Sequence, residues 1–251
     1  MDVIVLGAGT AIPAARRSPA GIYMAVGPER ILLDAGAGTM QRLHAAGASF
    51  LTLDRVFLTH YHIDHCLDLV SLLFALRIPQ PARRKKPLTI YGPRGLKRLY
   101  RHLNTAFQGW LMPKTYRLTL TELGETTLRL PGYTVTTRRM NHYATGALGY
   151  RIETPKRRVA YSGDTESCSG IVELGRGADP LILECSHPDE WKVAGHLSPT
   201  VCGQLAAAAS CHHLVLTHFY PVFAGYDIRA RVRRAYRGRV TLARDLTRLI
   251  V

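Results

Sequence analysis

The sequence predicts an α/β protein: two mixed sheets packed face to face with helices outside, a four-layer αββα arrangement, in a single domain over residues 1–251. Three observations carry this expectation. Short apolar runs of strand length alternate with stretches of helical spacing in both halves of the chain. The 251 residues are 47% hydrophobic and 20% charged, which supplies a sizeable core within the size of one α/β domain. No internal linker or repeat divides them. Pattern alone leaves other α/β layouts open, and the choice among them rests on a motif in the first half of the chain.

In order, Val3–Leu6 reads as a strand ending at Gly7-Ala8-Gly9, and Gly21–Val26 with Arg30–Leu33 as a hairpin around Gly27-Pro28. Met40–Ala46 has helical spacing. Arg55–Leu58 is a short apolar strand that runs into a histidine cluster, and Asp68–Leu76 a helix that stops before Pro79. Leu88–Tyr91 is a strand broken by Gly92-Pro93, and Gly95–Asn104 is helical. Arg117–Glu122, Thr126–Leu130 and Tyr133–Met140 read as strands of a second sheet, continued by Gly149–Glu153 and Arg158–Tyr161 across a turn at Thr154-Pro155. Ile171–Gly175 is a helical turn and Leu181–Glu184 a strand. Ser198–Ala209 is a helix with Ser198 as its cap and Pro199 at its first position. His213–Leu216 is a strand, Asp227–Tyr236 a basic helix and Val240–Leu242 a last strand.

Composition excludes a collagen, a coiled coil and a disulfide mini-scaffold. The five cysteines are odd in number and none form C-x-x-C, so free thiols in a reducing compartment are expected rather than a disulfide framework or zinc ribbon. Met1–Gly7 reads as a buried strand rather than a leader, and the apolar stretch Leu69–Leu76 is too short to span a bilayer, so a cytoplasmic protein without a membrane partner is expected. Thirty-three Lys and Arg against 18 Asp and Glu give a net charge of +15, which attracts polyanions and steers anionic substrates. The run Arg83-Arg84-Lys85-Lys86 reads as a solvated loop.

Thr59-His60-Tyr61-His62-Ile63-Asp64-His65 places four potential metal ligands within six residues, in the loop leaving a strand. His142, Asp164 and His218 follow further strands. Imidazole with carboxylate suits zinc, manganese or iron. Five histidines and two carboxylates can build two adjacent metal sites with one carboxylate bridging, and such a pair clamps the attacking and leaving oxygens of a displacement. His44, His102, His187, His212 and His213 read as ordinary core or surface histidines.

This loop, of the form His-x-His-x-Asp-His, resembles the hallmark of the metallo-β-lactamase superfamily. Within it the chain is most similar to ribonuclease Z-type phosphodiesterases, through Leu6–Pro13, Leu33–Thr39, Tyr161–Thr165, Gly195–Ser198 and Leu216–Phe219. The resemblance implies the αββα sandwich. It also implies two divalent ions, most often zinc, with His60, His62 and His142 on one, Asp64, His65 and His218 on the other, and Asp164 between them. His196 matches a histidine placed over the scissile phosphate, where it stabilises an oxygen or protonates the leaving group. Asp64 also orients the attacking water. Asp34 and Glu184 read either as partners that fix imidazole tautomers or as ordinary caps.

The family's protruding arm for transfer RNA lies between the ligands matching His142 and Asp164. Here that interval is only Tyr143–Gly163. After His218 the chain reads Phe219-Tyr220-Pro221, without the family's serine and arginine. A homodimer would let a second subunit lend the surface an armless chain lacks.

The expected function is thus a dinuclear, ribonuclease Z-like phosphodiesterase of the RNA 3′-processing type. The alternative is a small-molecule hydrolase acting on cyclic phosphodiesters or on an ester or lactone. Arg16 and Arg17 are the better candidates for substrate phosphates, and the arginines of 227–236 read either as a solvated face or as a surface that tracks RNA phosphates, with Tyr226 and Tyr236 to stack. Gly7-Ala8-Gly9 lacks the third glycine of a dinucleotide fingerprint, since Ile12 stands there. It reads instead as a tight turn that lets backbone approach the site.

Overall fold

The computed structural model describes residues 1–78, 84–144, 146–191 and 193–251. Among them are strands β1 (Asp2–Gly7), β2 (Gly21–Val26), β3 (Glu29–Leu33), β4 (Arg55–Phe57), β5 (Leu88–Pro93), β6 (Leu118–Leu123) and β7 (Thr126–Leu130). The second half adds β8 (Tyr133–Arg139), β9 (Leu148–Glu153), β10 (Arg158–Tyr161), β11 (Leu181–Glu184), β12 (His213–Thr217), β13 (Arg239–Leu242) and β14 (Thr247–Ile250). They form two seven-stranded sheets, ordered β14-β1-β2-β3-β4-β5-β6 and β13-β12-β11-β10-β9-β8-β7. Both sheets follow one plan. Antiparallel pairing runs from β14 through β3 and from β7 through β10, and parallel pairing takes over from β3 to β6 and from β10 to β13.

The layering follows from period-two alternation of apolar residues. Val3 and Val5 of β1 point into a core between the sheets, together with Ile22, Phe57, Tyr150 and Ile182. Ile4 and Leu6 point the other way, into a core beneath α1 (Thr39–Ala45), α3 (Asp68–Arg77) and α4 (Leu96–Ala106) that also holds Leu43, Leu72 and Leu96. In the second sheet Leu181, Leu183, Leu214 and Leu216 face α5 (Ser169–Gly175), α6 (Pro199–Ala208) and α7 (Ile228–Val232), while Val215 faces inward. The strands buried on both faces, β11 and β12, are therefore apolar almost throughout. The sandwich of four layers is the predicted fold.

Several expectations change. Arg117–Glu122 was assigned to the second sheet, yet β6 pairs in parallel with β5 at the edge of the first. The loop from Gly92 to Arg117 folds back through α4, and the crossover returns β6 to its own sheet. β14 had no strand expectation; it pairs with β1 and closes the first sheet. The basic helix is shorter than 227–236. It spans Ile228–Val232, capped by Asp227, whose carboxylate accepts the Ala230 N–H at 3.0 Å. Ser198 does hold the N-cap position of α6, but the capping bond comes from Asp189, which accepts Thr200 N at 2.9 Å. Arg84 is buried, and its guanidinium donates to the carbonyls of Leu51, Leu53 and Pro87, so that part of the basic run is a structural clasp. Arg83 and Pro79 lie outside the described residues. The described cysteines are free, with Cys168 half-buried and the other four buried. No helix of the described residues is long and apolar enough to cross a membrane.

Candidate metal centre

All seven expected ligands converge at one edge of the sandwich, where strands of both sheets end. His60 and His62 follow β4 directly. A one-turn helix, α2 (Ile63–Cys66), then turns Asp64 and His65 inward while Ile63 stays exposed. His142 follows β8, Asp164 follows β10 and His218 follows β12. The turn that carries α2 requires Gly36: a Cβ there would stand 2.0 Å from the Asp64 carbonyl oxygen. Asp34 and His218 both adopt left-handed backbone, at φ 58° each, an arrangement kept at functional sites only where the surroundings enforce it.

The geometry separates the ligands into two sets around one carboxylate. Asp164 Oδ2 lies 4.0 Å from His60 Nε2 and 3.9 Å from His142 Nε2. Its other oxygen, Oδ1, lies 3.1 Å from His65 Nε2 and 3.3 Å from His218 Nε2. His62 Nδ1 approaches His142 Nε2 at 3.1 Å, and Asp64 Oδ2 lies 3.4 Å from His218 Nε2. Thus His60, His62, His142 and Asp164 can share an ion, as can Asp64, His65 and His218. His60 Nε2 and Asp164 Oδ1 are buried without a hydrogen bond among the described residues. Buried polar atoms left so are costly. A cation among these nitrogens and oxygens satisfies them, and the donor set is that of a divalent-metal centre.

The opposite ring nitrogens are fixed by neighbours, which leaves the facing nitrogens as lone-pair donors. Asp34 Oδ2 accepts from His65 Nδ1 at 2.7 Å and from Tyr161 OH at 2.9 Å, and Oδ1 takes Thr59 N at 2.7 Å. His142 Nδ1 donates to Gly195 O at 2.8 Å, and His218 Nδ1 meets Ser186 Oγ at 3.0 Å. Burial would raise the Asp164 and Asp64 carboxyls, but the surrounding imidazoles outweigh it and hold both well below the usual carboxylate range. Burial pushes His60 and His142 down, toward the neutral form a ligand needs.

His196 sits beside this centre, its ring 5.1 Å from His142 and 5.9 Å from His218. Its Nδ1 lies 3.0 Å from Glu184 Oε1 and 3.2 Å from Ser186 Oγ. Burial would lower its pKa, but the hydrogen bond and charge of Glu184 raise it above the ordinary imidazole value. Asp34 and Glu184 therefore both meet the tautomer-fixing reading. The Gly7-Ala8-Gly9 turn brings backbone to the same place: Phe219 N donates to Ala8 O at 3.0 Å, and Ala11 N to Asp64 Oδ2 at 3.1 Å.

Three contributors were not singled out in the sequence. His187, read as an ordinary histidine, stacks on Tyr220 at 4.7 Å and stands 5.7 Å from His196. Tyr143 packs against His142 at 4.8 Å, 60% exposed, and its hydroxyl donates to Ala194 O. Ser186 links His196, His218 and Glu184. Adjacency to Asp164, His142 or Glu184 in the chain was a signal only for Tyr143 and Ser186.

The expected RNA contacts fare differently. Arg17 stacks its guanidinium over Phe219 at 4.2 Å. Arg229 donates to Val240 O and Arg233 to Arg237 O and Gly238 O. Arg231 pairs with Glu190 at 2.8 Å. Tyr236 is core, and Tyr226 OH bonds Glu190. These groups are engaged within the fold, but Arg229 and Arg233, like Arg16 and Arg234, remain exposed. The interval from Tyr143 to Gly163 is spent largely on the β9–β10 hairpin, and among its described residues there is no segment for a protruding arm.

Comparison with known proteins agrees with this architecture. Residues 29–219 match the β-lactamase superfamily domain. A ribonuclease Z of a Mycobacterium species is 30% identical, covering 100% of this chain and 96% of that protein. Ribonuclease Z of Streptomyces coelicolor is 28% identical, covering 100% and 97%. Among solved structures, the metallo-β-lactamase fold protein YhfI from Bacillus subtilis superposes with a TM-score of 0.85 at 25% identity, over 98% of both chains. The short form of human tRNase Z superposes with a TM-score of 0.78 at 25% identity, over 100% of this chain and 99% of that one. The chain belongs to the β-lactamase superfamily. Within that class it is a ribonuclease Z-like, metal-dependent hydrolase.

Proposed function

We propose that this chain hydrolyses phosphodiester bonds of RNA with two zinc ions, in the manner of the ribonuclease Z proteins it resembles, as a cytoplasmic enzyme. The observation that carries the reading is Asp164, with one oxygen toward His60 and His142 and the other toward His65 and His218. Two ions so held would supply an activated water and charge stabilisation for displacement at phosphorus. His60, His62 and His142 would hold one and Asp64, His65 and His218 the other, with Asp164 available to both. Asp64 orients the attacking water. Glu184 fixes His196 through Nδ1, so the opposite nitrogen presents its proton to a phosphate oxygen or to the leaving oxygen.

The short β9–β10 hairpin favours a second reading, a small or unstructured phosphodiester in place of a folded transfer RNA. A panel of bis-p-nitrophenyl phosphate, cyclic nucleotides, a lactone and a precursor transfer RNA, with and without chelator, separates the readings. Chelator-sensitive diester turnover without lactone turnover is expected. Lactone turnover alone overturns phosphodiester chemistry, and diester turnover with no cleavage of the transfer RNA selects the second reading. His196→Ala should keep its metal while turnover falls by about 10²–10⁴; loss of metal in that variant would make His196 a ligand.

A further inference from the structure

We propose that the cleft beside His196 is a nucleobase subsite, in which the base next to the scissile phosphate stacks on Trp191. This rests on the phosphodiester reading and narrows it, to nucleotidyl diesters over diesters of simple alcohols.

The cleft has a volume of about 800 Å³ and runs from His196 and His187 past Trp191 to Arg231 and Arg234. That is the range of sites that enclose small organic ligands. Trp191 is 57% exposed, a large apolar surface left to water on a wall of the cleft. Its loop is pinned at Asp189 and Glu190, the two residues before the indole. Asp189 accepts Thr200 N at 2.9 Å and Thr200 Oγ1 at 2.6 Å, and Glu190 pairs with Arg231 at 2.8 Å. The indole is thus presented by an anchored segment.

The charges on the walls are largely spoken for. Asp189 and Arg231 are engaged as above, and Glu166 accepts Gly195 N at 2.5 Å and Asn141 Nδ2 at 3.1 Å. The chemistry left over is a flat aromatic face, the side chain of Gln204 and the exposed guanidinium of Arg234. Phosphate alone has no use for the indole, and an alkyl chain has none for Gln204 and Arg234. A planar heterocycle with polar edges uses all three. His187 continues the aromatic surface from the cleft toward the centre through its stack on Tyr220. A base on Trp191 and a phosphate at Asp164 therefore lie along one continuous path.

The test compares thymidine 5′-(p-nitrophenyl phosphate) with methyl p-nitrophenyl phosphate, which share a leaving group and differ in the base. The nucleoside diester should be preferred in kcat/KM by about 10- to 100-fold, the worth of one stacked base. Trp191→Ala should abolish that preference and leave methyl p-nitrophenyl phosphate turnover unchanged, and Trp191→Phe should restore part of it. The chain has two tryptophans, so in a Trp110→Phe background thymidine 5′-monophosphate should quench Trp191 fluorescence. A preference that is absent, or that survives Trp191→Ala, overturns the subsite while diester turnover keeps the phosphodiester reading intact. No turnover of either diester, with quenching retained, overturns the phosphodiester reading and keeps a nucleotide site.

Discussion

Replacing Glu184 by glutamine keeps the shape of a buried side chain and removes its charge. The carboxylate accepts four hydrogen bonds: Thr165 N at 2.8 Å and His196 Nδ1 at 3.0 Å on Oε1, Ser186 Oγ at 2.6 Å and Leu197 N at 3.1 Å on Oε2. An amide has one acceptor oxygen. Ser186 can turn its hydroxyl to accept, but Thr165 N or Leu197 N must then face an NH2 group. Leaving one such buried donor unsatisfied costs about 1–3 kcal/mol, which urea unfolding of Glu184→Gln should register. The catalytic consequence is separate. Glu184 is what raises the His196 pKa against the opposing effect of burial, so its loss lowers that pKa. An acid is active below its pKa, so the alkaline limb of the pH–rate profile should move to lower pH. Turnover at neutral pH should fall by about 10- to 100-fold, with metal content unchanged. A variant that is destabilised while its alkaline limb stays in place would show that Glu184 only caps backbone, and the role given to His196 would fail with it.

Asp164→Ala should deplete both ions, because each of its oxygens serves a different histidine set; elemental analysis showing one ion fully retained would refute a bridging role. Glu29 joins the sheets: it takes Arg55 at 2.7 and 2.8 Å from within the first sheet and the Tyr133 hydroxyl from the second. Burial would raise its carboxyl, but Arg55 and Tyr133 outweigh that and lower it. The stability it lends is therefore complete above the ordinary carboxylate pKa and is lost as pH falls through its lower folded-state value. Glu29→Gln should cost about 1–3 kcal/mol at pH 7, and the gap to the parent should close in acid, both read by urea unfolding. Gly36→Ala should weaken metal retention against a chelator, since its Cβ would push on the Asp64 carbonyl.

Much of the metal centre was legible because its chemistry is concentrated in local sequence. His60, His62, Asp64 and His65 are near neighbours, and His142, Asp164 and His218 each follow a strand. The four layers were legible through the same motif, because the continuous apolar runs of β1, β11 and β12 by themselves leave other α/β layouts open. What escaped depends on contacts far apart in the chain. Nothing local tells Leu118–Leu123 which sheet to join, and its parallel partner β5 lies across α4. Nothing local shows that Arg229 and Arg233 meet the carbonyls of Val240, Arg237 and Gly238. α2 is one turn long, too short for helical periodicity to register. His187 differs from a surface histidine only by the stack on Tyr220, a residue 33 positions away in the chain.

The ligands do not all belong to one half of the sandwich. His60, His62, Asp64 and His65 hang from the first sheet, whereas His142, Asp164 and His218 hang from the second. An ion held by both groups is a rivet through the seam between the layers. Whatever binds the assembled protein and not the open chain shifts the folding equilibrium by mass action, by about 4 kcal/mol at a thousandfold excess over the dissociation constant. With metal bound as proposed, the reactive centre would also be a fastening, and the grip of the two halves on each other should vary with the free metal around them.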